Sequence, residues 1–88
     1  MVSRRALIGI YERVLSGEGT VSFRDFESLL LALGFVLKAQ KGSHRIWLNP
    51  AVGRPFPVQP DGSNAKRYQV RQLRDIIRRC NLTLGPGE

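Results

Sequence analysis

The chain has one histidine, His44, and one tryptophan, Trp47, and both fall in the stretch KAQKGSHRIWLNP at positions 38–50, among Lys38, Lys41 and Arg45. Imidazole is the side chain suited to taking or giving a proton near neutral pH, and cations beside it stabilise charge that builds up on a phosphate. Together they match the needs of RNA strand cleavage. RNA carries its own nucleophile, the 2′-hydroxyl, so proton transfer and positive charge suffice and no metal is required. On this reading His44 is the catalytic acid or base, and Lys38, Lys41, Ser43 and Arg45 contact the phosphate. The competing reading makes His44 a structural imidazole. No Asp or Glu lies near His44 in sequence to orient a serine triad, so Ser43 is a turn former or phosphate donor and not a nucleophile.

The bulk properties agree with a polyanionic partner. Fourteen Lys and Arg, eleven of them arginine, face seven Asp and Glu, a net charge of +7. Arginine's planar fork suits phosphates and stacks on bases. No apolar run is long enough to span a bilayer and no lipidation signal is present, so nucleic acid is the expected partner and a membrane is not. One cysteine forms no internal disulfide, and one Cys with one His falls short of a zinc set, so neither a metal nor a cofactor is expected. The N-terminal segment MVSRRALIGIYERVL is interrupted by Tyr11, Glu12 and Arg13 and is wrong for a signal peptide. The expected location is the cytoplasm.

The elements that position His44 follow from periodicity. Ser3 caps a first helix with Leu7, Ile10, Tyr11 and Val14 on one face, stopped by Gly17 and Gly19. Ser22, with Asp25 three residues on, caps a second, in which Phe23, Phe26, Leu30 and Leu33 recur until Gly34. From Phe35 the period becomes two, with Phe35, Leu37 and Ala39 on one side of a half-buried strand. Lys41-Gly42-Ser43 is a turn and HRIWLN a second strand, so His44 stands at the mouth of a hairpin. Alternation puts His44 with Ile46 and Leu48 and sends Trp47 to the other, open face, where its ring can stack on a base; packing is the alternative for this residue.

The segment PFPVQP follows. Pro55 and Pro57 are two apart and leave both missing donors on one side, so the third strand lies at a sheet edge. Asp61-Gly62-Ser63-Asn64 reads as a loop. A final helix then carries Val70, Leu73, Ile77 and Cys80 on one face and a stripe of Arg67, Arg71, Arg74 and Arg78 on another. Arg71, Arg74 and Arg78 are candidate contacts for phosphates or for an acidic protein. The order helix, helix, strand, strand, strand, helix is that of a small α+β fold with helices over one face of an antiparallel sheet.

The runs LLLALGFVLKAQKGSHRIWLNP and VQPDGSNAKRYQVRQLRDIIRRCNL resemble the HicA-type toxins of bacterial and archaeal toxin-antitoxin pairs. A helix ending in Gly34-Phe35, the Gly42-Ser43-His44 hairpin, a third strand, and a closing helix with Arg71 and Ile76-Ile77 fall in the family's order. The resemblance runs from about Ser22 to Leu82. It implies a dsRBD-like α-β-β-β-α fold and a metal-independent mRNA interferase, an endoribonuclease, whose catalytic histidine corresponds to His44. It also implies a HicB-type antitoxin that holds the toxin inactive.

The chain is then one domain, with an extra N-terminal helix and linker (1–19) available for oligomerisation or antitoxin contact, a core (20–82) and a flexible tail (83–88). Arg45 follows the histidine where many relatives carry another histidine or a small polar residue. The alternative function on the same fold is a non-catalytic dsRBD-like RNA-binding module, with His44 a bystander.

Overall fold

Both serine caps form in the computed structural model, which describes residues 2–85. The Ser3 hydroxyl accepts a hydrogen bond from the Ala6 N–H (3.1 Å) at the start of α1 (Arg4–Ser16), and the Ser22 hydroxyl accepts one from Asp25 N–H (3.1 Å) at the start of α2 (Phe23–Ala32). Each satisfies a donor that the first helical turn leaves unpaired. α1 stops at Gly17, whose φ of 72° is left-handed. A Cβ there would meet Arg74 Nη1 at 2.7 Å, the movable end of a flexible side chain, so it is the backbone conformation that selects glycine.

The sheet order is β1-β2-β3, antiparallel throughout, built from Val36–Lys41, His44–Leu48 and Phe56–Val58. A separate two-stranded ribbon, β4 (Pro60–Asp61) with β5 (Asn64–Ala65), precedes α3 (Arg67–Cys80). The Asp61–Asn64 loop expected from sequence is therefore a second Gly-Ser hairpin. Its strands are two residues long and carry no readable period. The ribbon docks on the start of α2, where Phe23 N–H donates to Ser63 O and Ala65 N–H donates to Val21 O (both 2.9 Å).

One hydrophobic cluster joins all three helices to one face of the sheet. Ile10 and Val14 of α1 pack in it with Phe26, Leu29 and Leu30 of α2, Val70, Leu73 and Ile77 of α3, and Trp47, Phe56 and Val58 of the strands. Phe56 is a hub, its ring 6.3 Å from Phe26 and 6.0 Å from Phe35. The N-terminal helix is thus built into the core. Burying a Val or Ile side chain contributes about 1.5–3 kcal/mol each, and the Tyr11 hydroxyl donates to Leu82 O (2.8 Å) to tie α1 to the end of the fold. Residues 86–88 of the expected flexible tail lie outside the described residues; Leu84 packs against the cluster and Arg4 donates to its carbonyl (3.4 Å). Among the described residues no helix is long and apolar enough to cross a membrane.

Three sequence readings of the sheet change. β1 does not alternate as a half-buried strand: all six of its residues are exposed, and Phe35, which is buried, precedes it. The register slips between Leu37, paired with Trp47, and Ala39, paired with Ile46, so Lys38 is the extra residue of a β-bulge. A bulge reverses the face of every residue beyond it. Leu37 thereby goes to the helix side, and Ala39 and Lys41 to the other.

The second change is the phase of β2. Trp47 is only 3% exposed and belongs to the core, while His44, Ile46 and Leu48 face away from the helices. The expectation that Trp47 sits on the open face, ready to stack on a base, is corrected: a buried indole offers no face to RNA. The third concerns Arg45, which shares Trp47's side. It is ion-paired with Glu27 of α2 and lies over the Phe23 ring at 5.4 Å. Arg45 therefore braces helix to sheet on the side opposite His44 and does not join a phosphate site there.

Candidate catalytic hairpin and adjoining groove

The Gly42-Ser43 turn is a two-residue hairpin loop closed by the Lys41↔His44 pair. Gly42 has φ of 60° and Ser43 has no positive φ, which is the pattern of a type II′ turn with glycine at its first central position. This turn matches the twist of paired strands, so it holds His44 at the first position of β2 and not in a mobile loop. His44 is exposed and shares its sheet face with Lys41 directly opposite. Directly opposed residues have Cβ atoms about 5 Å apart, within reach of one phosphate. Lys38, at the bulge, and Ser43, in the turn, are also exposed. Among the described residues the side chains of Lys38, Lys41 and His44 have no hydrogen-bond or ion-pair partner in the protein, and all three residues are exposed.

Along that face, Val36, Ala39, Ile46, Leu48 and Pro57 continue from His44 as an apolar strip; Val36 is 63% exposed. On the other flank His44 opens onto a cleft of about 580 Å³ between the outer edge of β3 and α3. Gln59 borders it from the strand side, Arg54 from the β2–β3 connection, and Tyr68, Gln72, Asp75 and Arg79 from α3.

The wall of this cleft is fixed by Gln69. Its Nε2 donates to Pro57 O (2.8 Å) and its Oε1 accepts from Gln59 N–H (3.0 Å). A single buried amide therefore satisfies the outward-facing groups of β3 as a further strand would. Pro57 pairs with Ile46 and points its nitrogen outward, where no donor is required, as the edge-strand reading of the prolines anticipates.

The arginine stripe lies elsewhere. At 3.6 residues per turn, positions 71, 74 and 78 are centred roughly 95° around α3 from positions 68, 72, 75 and 79. Arg78 Nη2 donates to Leu15 O (3.2 Å), Arg74 approaches Gly17, and Arg74 Nε pairs with Asp75 (3.2 Å). Two of the three arginines thus contact the C-terminal end of α1, where a cation meets the negative end of the helix dipole. Arg71 is exposed and without a partner among the described residues. The structure does not bring this stripe to His44.

Sequence reasoning about single elements missed Arg54, Gln59, Gln72 and Arg79. One signal was available: positions 68, 72, 75 and 79 are themselves at helical spacing and form a second polar face of the last helix. No three His, Cys, Asp or Glu residues among those described are grouped to hold a metal ion.

A family model described as the HicA toxin of bacterial toxin-antitoxin systems matches residues 23–82. Comparisons with curated proteins and with solved structures give no significant match. The matched span begins at the first residue of α2, contains the whole sheet and the Gly42-Ser43-His44 turn, and ends just past α3, leaving α1 outside it. With a three-stranded antiparallel sheet between α2 and α3 and a match over more than half its length, the chain belongs to the HicA toxins of toxin-antitoxin systems.

Proposed function

We propose that the chain is a metal-independent mRNA endonuclease in which His44 is the single catalytic histidine, and that a HicB-type antitoxin neutralises it in the cytoplasm. The observation that carries this reading is the placement of His44: exposed, held by a type II′ turn, paired across the hairpin with Lys41 and open to a basic cleft.

In the reaction the 2′-oxygen of one nucleotide bonds to its 3′-phosphorus and the bond from phosphorus to the next nucleotide's 5′-oxygen breaks, leaving a 2′,3′-cyclic phosphate and a 5′-hydroxyl. His44 either removes the 2′-hydroxyl proton or protonates the leaving 5′-oxygen, and a lysine or water carries the other proton. Lys38 and Lys41, with the Ser43 hydroxyl, hold the phosphate and stabilise the charge of the pentavalent state. The antitoxin reading rests on the family and on the chain's charge of +7, which favours association with an acidic partner across the Lys41–His44 face.

Expression in bacteria tests it. The intact chain should arrest growth with falling mRNA levels, the His44→Ala form should be harmless, and co-expression of an acidic antitoxin from the adjacent gene should restore growth. Equal toxicity of the two forms would assign the effect to RNA binding or misfolding and remove the support for an enzyme.

A further inference from the structure

The cleft between β3 and α3 has properties that the cleavage reading does not use. It is continuous with His44, and its volume of about 580 Å³ is in the ~300–1,000 Å³ range of small-ligand sites. Arg54 and Arg79 border it, both exposed and without ion-pair partners among the described residues. The one carboxylate there among the described residues, Asp75, is paired with Arg74, so the described lining of the cleft is net positive. Tyr68 stands at its rim 50% exposed, with the Lys66 ammonium 6.0 Å from the ring. Half of Tyr68 is exposed, which leaves part of its ring accessible to a ligand. The Gln72 side chain, one helical turn on, supplies both a donor and an acceptor.

The strand edge at the back of the cleft excludes one class of occupant. A peptide adding to β3 would need its outward N–H and C=O groups, but Pro57 has no N–H and Gln69 occupies Pro57 O and Gln59 N. What remains open is an aromatic face, two guanidinium groups and a side-chain amide, the chemistry that recognises an unpaired nucleotide.

The geometry points to the cleft as a subsite for single-stranded RNA, in which Tyr68 stacks on the base next to the cleaved bond, Gln72 meets its polar edge, and Arg54 and Arg79 hold the adjoining phosphates. This rests on the reading of His44 as the cleavage centre, since His44 sets which nucleotide enters. It makes Tyr68, Arg54 and Arg79 binding residues that direct the strand across the hairpin.

The test uses the full chain and a fluorescent 2′-O-methyl oligoribonucleotide, which lacks the attacking hydroxyl and stays intact, with affinity measured by anisotropy over a range of salt. Tyr68→Ala should weaken binding about tenfold or more. The Arg54→Gln/Arg79→Gln pair should reduce the salt slope by about 1.4, at about 0.7 per lost phosphate contact. The exposed pair Arg5→Gln/Arg13→Gln, which removes the same charge from α1, should change affinity less. Wild-type affinity and slope in both cleft variants would overturn the subsite, as would absence of RNA binding by the wild-type chain. Cleavable RNA run in parallel separates the two ideas. Cleft-dependent binding without cleavage would leave the subsite standing and remove the nuclease reading, whereas cleavage with unchanged KM in the cleft variants would do the reverse.

Discussion

Two regions of this molecule concentrate cations, and they use them differently. Around the Gly42-Ser43 hairpin, the side chains of Lys38 and Lys41 beside His44, with those of Arg54 and Arg79 across the cleft, have no protein partner among the described residues. On the opposite flank of α3, Arg74 and Arg78 are applied to the end of α1, and on the underside of the sheet Arg45 is paired with Glu27. The difference teaches that a count of arginines does not locate a phosphate site. Cations already satisfied by carbonyls and carboxylates hold the fold together. Those whose side chains have no protein partner are available for a ligand.

The largest effect that sharpens this contrast should come from the turn. Gly42→Val places a branched side chain at φ 60°, a conformation that costs an L-residue about 1–2 kcal/mol, and the strain is relieved by moving His44. RNA cleavage should fall by about 10²-fold, the effect of a misplacement near 1 Å, while the melting temperature drops by about 5–15 °C. Unchanged cleavage would mean that hairpin geometry does not matter to the chemistry.

Next in size is Arg45→Ala. The pair it forms is partly sheltered, with side-chain exposures of 31% and 15%, and Glu27 Oε2 already lacks a partner. Its removal leaves a poorly solvated carboxylate and should destabilise the fold by about 2 kcal/mol in denaturant titration. RNA affinity per folded molecule should be little altered. A variant with wild-type stability and lost RNA binding would move Arg45 to the phosphate side of the comparison.

A smaller change is expected from Arg74→Gln/Arg78→Gln, about 1 kcal/mol of stability from contacts with the end of α1, with the salt slope for RNA nearly retained. A slope reduced by about 1.4 would instead make the stripe a phosphate track. The smallest effect belongs to Trp47. Its Nε1 is buried without a partner, so Trp47→Phe should be close to neutral in stability, and Trp47 emission in the wild-type chain should be unmoved by RNA. Strong quenching on RNA addition would contradict its place in the core.

Much of this fold is legible in the sequence because local chemistry dictates it. Ser3 and Ser22 announce helix starts through their hydroxyls, Gly17 a stop through its missing Cβ, and Pro55 and Pro57 an edge strand through their missing N–H groups. The faces of the sheet were harder to read. Alternation states which residues share a side but not which side is buried, and Arg45 beside Trp47 disguises the buried one. Its charge is compensated by Glu27, eighteen residues away in sequence. The bulge at Lys38 is likewise set by pairing with β2. His44 was legible as a candidate because it is the lone imidazole beside a Gly-Ser turn. The cleft was not, because β3 and α3 meet there only in the folded chain, across a ribbon too short to carry a period.

The most direct measurement is single-turnover cleavage of a defined RNA by the purified chain and its His44→Ala form, both checked for folding by circular dichroism, with excess EDTA present throughout. Wild-type cleavage that persists in EDTA, with cyclic phosphate ends, and a rate lower by about 10²- to 10⁴-fold in a folded His44→Ala protein, is the expected result. Equal rates in the two proteins, or activity abolished by EDTA and restored by Mg²⁺, would contradict the assignment of His44 as the catalytic group of a metal-independent nuclease.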